Sequence, residues 1–105
     1  MDTMFGKIHT ATFIDTDGRL GFLFDLKGTG WGCGDFWGFW STDHTPSCEW
    51  TPETRHIALG EACMRVQKLF VDARKRSLDQ LVGMPVEATF EGNLLRSWRI
   101  LSEVL

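Results

Sequence analysis

Four residues of this chain have the types needed for metal or covalent chemistry: Cys33, His44, Cys48 and His56. Thiolates and neutral imidazoles are the usual zinc ligands. A cysteine beside a histidine is also a common activated nucleophile. The intervening gaps are 10, 3 and 7 residues, and no C-x-x-C occurs. Neither fact fits a standard zinc spacing. A nucleophile built from Cys33 with His44 or His56 lacks a third group to orient the base. The sequence reading is therefore no metal site, no cofactor and no catalytic residue. Cys63 falls among apolar residues at helical spacing and reads as helix core. Gly28-x-Gly30-x-Gly32-x-Gly34 lacks the lysine and the directly following helix of a phosphate loop.

The stretch around Cys33 is the most unusual in the chain. Gly28 to Trp40 holds five glycines, three tryptophans and two phenylalanines. Glycine weakens a strand unless the backbone must bulge or let something come close. Large aromatics add flat apolar area with little rotamer entropy to lose. One reading is a bulged, strongly twisted strand whose aromatics cover the core. The other is a contact surface, and both can hold. As a surface, its centre is Trp31 with Trp37 or Trp40, and Asp35 and Asp43 form the rim. Trp31, Trp37, Trp40 and Trp50 have the faces to stack single-stranded bases. Asp35, Asp43 and Glu49 around them argue against a phosphate partner.

Charge points the same way. The net charge is -3, divided as -5 over residues 1–53 and +2 over residues 54–105. Phosphate neutralisation dominates nucleic-acid affinity, so an acidic front half makes nucleic acid an unexpected partner. Arg74-Lys75-Arg76 sits near the end of a helical pattern, where cations suit the dipole.

The elements that position these residues follow from periodicity. Lys7 to Asp15 alternates as a strand, with Ile8, Thr10, Thr12 and Ile14 on one face. Asp17-Gly18 is a turn signal. Leu20, Phe22, Phe24 and Leu26 mark a second strand. Phe36 to Ser41 makes a third, and residues 41–50 read as a loop. Thr51-Pro52 is an N-cap followed by proline at the first helical position. Leu59, Ala62, Cys63, Val66, Leu69, Phe70 and Ala73 then recur at helical spacing. Gly60 implies a break or a close approach to the sheet. Ser77 and Gln80 form a capping-box pattern. Val86 to Glu91 and Leu94 to Leu101 flank Gly92-Asn93 as a hairpin. The expected fold is one α+β domain over residues 1–105. Its five-stranded, mainly antiparallel sheet runs β-β-β-α-β-β, with one long amphipathic helix on one face.

The chain resembles a family of small phage and prophage proteins. The family pattern has a hairpin turn ending in glycine, here Asp17-Gly18. A segment G-x-G-Q-x-F-G-G-Y follows, matched by Gly30-Trp31-Gly32-Cys33-Gly34 without the glutamine. After the helix comes W-x-x-L-x-G-x-x-V, matched by Leu78, Leu81, Gly83 and Val86, with Leu78 in place of tryptophan. The resemblance implies a phage-encoded protein. It extends to anti-CRISPR inhibitors, with a type I effector complex of the host as the expected partner. The alternatives are a small single-stranded nucleic-acid-binding accessory protein and a small enzyme. No apolar run approaches the roughly 18 residues of a membrane span. The N-terminal residues lack the pattern of a secretory signal. The expected location is the host cytoplasm. Aromatic content beyond one small core's needs points to a homodimer.

Overall fold

The computed structural model describes residues 1–16, 18–40 and 52–105. One strand, β1 (Asp2–Thr16), organises the sheet. Its first part, Asp2 to Lys7, pairs with β4 (Pro85–Glu91). Its second part, Lys7 to Thr16, pairs with β2 (Arg19–Gly28). Outside these lie β3 (Trp31–Trp40) and β5 (Leu94–Ile100), in the order β3-β2-β1-β4-β5, every pair antiparallel. The expected α+β class and strand sequence hold.

Coiling brings the two edge strands together. Trp98 of β5 reaches across to β3, where its ring stacks on Trp37 at 5.3 Å between centroids. No ladder joins β3 to β5 among the described residues. The sheet is a partly open barrel whose seam is bridged by side chains.

The helix α1 (Pro52–Ala73) connects β3 to β4 and packs Ala62, Val66, Leu69 and Ala73 into the core. They meet Phe24, Leu26, Ile8, Val86 and Ile100 from the sheet. A short helix, α2 (Leu78–Leu81), adds Leu81. Phe24 is fully buried, with Trp37 and Trp98 at 4.8 and 5.3 Å from its ring.

Several expectations need correction. Cys63 is exposed, not core. Successive helical residues turn by about 100°, so a stripe centred on Ala62, Val66 and Leu69 leaves Cys63 off its edge. Gly60 neither breaks α1 nor touches the sheet; it is exposed, with nothing near its missing Cβ. Arg74 to Arg76 lie beyond the last turn. Arg74 takes φ +59, and the Lys75 amide donates to the Phe70 carbonyl at 2.9 Å. Ser77 is extended and makes no capping bond; Gln80 Oε1 accepts from the Arg76 amide instead. In β1, Ile8 and Ala11 both face inward because the register shifts between Ile8 and Thr10. This β-bulge at His9 reverses the phase expected for that strand. The third strand begins at Trp31, well before Phe36. Asp17, the loop over residues 41–50 and the Thr51 cap lie outside the described residues.

Candidate functional site: the two faces of β3

Period-2 alternation sends the odd and even residues of β3 to opposite faces. Trp31, Cys33, Asp35, Trp37 and Phe39 take the inner phase. Gly32, Gly34, Phe36 and Gly38 take the outer one. The glycine–aromatic alternation therefore puts most of the bulk inside and leaves most of the outer side bare.

The inner side accounts for three of the five residues expected at a contact surface. Trp37 is 6% exposed. Arg65 of α1 lays its guanidinium over the ring at 4.0 Å, a cation–π contact. One oxygen of Asp35, Oδ2, accepts from Trp37 Nε1 at 2.8 Å and from Trp98 Nε1 at 2.7 Å. Indole N–H groups need an acceptor when buried, and this carboxylate serves both across the seam. Asp35 is thus a structural bridge between β3 and β5 rather than a rim charge. Trp31 keeps partial exposure. Its Nε1 donates to the Phe5 carbonyl at 3.2 Å, and its ring meets Phe90 edge-on at 5.5 Å. With Asp2, Met4 and Asn93, that pair lines an open groove of about 490 Å³ at one end of the barrel. Asp43 and the side chain of Trp40 lie outside the described residues.

Cys33 is half-buried on the inner side, and burial pushes its thiol up, with the Asp35 and Asp25 carboxylates adding to the shift. That favours the thiol over the nucleophilic thiolate. His44 and Cys48 lie outside the described residues. Among the described residues, no three His, Cys, Asp or Glu side chains cluster as metal ligands would.

The outer side was not singled out by residue type. Gly38 is there for packing: a Cβ would come 2.7 Å from the Gly21 Cα and collide with the Leu20 carbonyl. Phe36 lies over Gly21, and Arg19 stacks on Phe36 at 5.3 Å. Gly32 and Gly34 differ. A Cβ on Gly32 would meet nothing closer than 3.5 Å, and one on Gly34 only the Asp25 Oδ1 at 3.3 Å. The fold has room for side chains there. Asp25 is itself held by the Thr10 hydroxyl at 2.6 Å.

Further along the same face, Lys27 is the ladder partner of both Lys7 and Gly32. The stem of Lys27 lies beside Gly32. Phe5, two residues before Lys7, is 63% exposed. Phe5, Lys7, Lys27 and Thr29 line an open depression of about 430 Å³. Residues 1–53 contain only three bases, Lys7, Arg19 and Lys27. All three sit on this outer face. Comparison of the chain with known protein families, curated protein sequences and solved structures finds no match, so the site is read from its own geometry.

Proposed function

We propose that the protein is a non-catalytic binding protein that works through the outer face of β1, β2 and β3. One observation carries this reading. Gly32 and Gly34 weaken β3 by about 0.5–1 kcal/mol each relative to alanine, yet no neighbour excludes a Cβ at Gly32 and only a mild contact meets one at Gly34. A bare strand face is what close approach by another chain requires.

The sequence resemblance supplies the first candidate partner, a host defence complex that the protein blocks by covering a surface the complex needs. In that reading it is a phage-encoded inhibitor in the host cytoplasm. With Asp35 and Trp37 turned inward, the contact surface is the glycine-lined face and not an acid-rimmed tryptophan patch.

The test is capture from a host lysate by the immobilised protein, compared with the Gly32→Val, Gly34→Val double variant. Valine suits a strand, so the variant folds while its face is filled. The reading expects specific loss of whatever the wild type retains. Identical capture by both proteins overturns it.

A further inference from the structure

We infer that the ligand of this face is single-stranded nucleic acid, with Lys7 and Lys27 holding a phosphate and Phe5 stacking an adjacent base. The inference deepens the reading of the outer face as the working surface and rests on it. Lys7 and Lys27 are direct cross-strand partners, and both are exposed. Like charges placed opposite one another destabilise a sheet. Among the described residues neither lysine makes an ion pair. A phosphate between them removes the repulsion and takes two charge-assisted contacts.

Of the acids that argued against phosphate, Asp43 and Glu49 lie outside the described residues. Asp35 faces inward, engaged by two indoles. Asp25, the acid nearest the bare lane, is bonded to Thr10. Two carboxylates stay on the face, Asp25 beside Gly34 and Glu87 opposite Phe5, the latter paired with Arg99. The other charged groups of β1, β2 and β3 there, Lys7, Lys27 and Arg19, are basic. Phe5 supplies a flat apolar surface beside the lysine pair, and Arg19 on Phe36 supplies a cation and a ring at the other end. Between them Gly32 and Gly34 leave the backbone open to a flat ligand. From Lys27 to Arg19 the strand rises about 26 Å, room for roughly four nucleotides, a site size known for small single-strand binders. A duplex is too broad to lay its bases on this lane, so single strands are preferred.

The experiment is fluorescence anisotropy of a labelled twelve-nucleotide oligothymidine, and of a duplex of equal length, between 50 and 200 mM salt. Two phosphate-contacting lysines predict a log–log salt slope of about -1.4 for the single strand. Lys27→Ala flattens the slope by about 0.7. Lys7→Glu with Lys27→Glu weakens binding at least tenfold, and Phe5→Ala weakens it without changing the slope. These side chains are exposed, so circular dichroism of each variant matches wild type. Absence of single-strand binding at 50 mM salt overturns the inference. If lysate capture still depends on Gly32 and Gly34 in that case, the outer face stands as a protein-binding surface. If capture is also unaffected by the valines, both readings fall. Binding that ignores the lysine variants, or that favours duplex, also overturns the assignment.

Discussion

At the scale of residues, the same stretch contains side chains the fold needs and side chains it does not, and substitution separates them. Asp35→Ala strips the acceptor from two indole N–H groups. Leaving two part-buried donors unpaired costs roughly 2–4 kcal/mol in chemical denaturation. Asp35→Asn keeps an oxygen acceptor and costs less than half of that. Gly38→Ala drives a Cβ into the backbone of β2 and lowers stability by more than about 2 kcal/mol. Gly32→Ala meets only ordinary van der Waals contacts, with the Leu26 carbonyl and the Lys27 stem, and leaves stability unchanged or raises it by up to about 1 kcal/mol. Thermal melts of the two glycine variants, side by side, check the division. The cysteines divide in the same way. Cys63 is exposed, while burial and neighbouring carboxylates raise the Cys33 thiol. Mass spectrometry of the protein treated with iodoacetamide at neutral pH finds Cys63 modified before Cys33. A raised thiol favours its neutral form in the fold. That contribution to stability is intact below the ordinary thiol pKa of about 8.5 and is lost as pH rises through the higher folded value. Cys33→Ser removes this alkaline sensitivity.

At the scale of elements, Phe24 on β2 is the centre of the packing between sheet and helix. Truncation to alanine costs roughly 3–5 kcal/mol, measurable as a shift of the urea midpoint at constant slope. The hairpins and the helix were legible because apolar residues recur at 2 and 3.6 with turn residues between them. Counting back from Thr16, which pairs with Arg19, even sets most of the β1–β2 register. It places Lys7 opposite Gly28, however, and the bulge at His9 moves it to Lys27. A bulge has no strong residue signature, so the lysine pair was illegible. Trp98 was legible as a strand residue but not as the partner of Asp35. The two lie 63 positions apart and meet only because the sheet coils. Phase in β3 was legible as two options, and the helix decided between them by laying Arg65 over the Trp37 ring and packing Ala62 into the same core as Trp37. On α1, Ile57, Met64 and Val71 recur seven apart and stay mostly exposed. The expected homodimer rests on aromatic content; if these α1 residues pair with a second copy instead, light scattering at high micromolar concentration reports a dimer, and Met64→Glu a monomer.

At the scale of the whole molecule, net acidity and local basicity coexist. The chain carries -3, yet every base of residues 1–53 lies on one face. Net charge governs solubility and long-range repulsion, whereas a ligand within a Debye length of about 8–10 Å responds to the patch. The same molecule offers an inner face tied together by Asp35, Trp37 and Trp98 and an outer face that the fold leaves open. The described residues include no helix long and apolar enough to cross a membrane. The most direct test of the outer face is amide hydrogen exchange with and without excess single-stranded oligonucleotide. The account predicts slowed exchange across Phe5 to Thr10 and across Leu23 to Gly34, the Thr29–Gly30 turn included, with α1 unchanged. Protection confined to α1, or to the groove of Asp2, Met4 and Asn93, contradicts it.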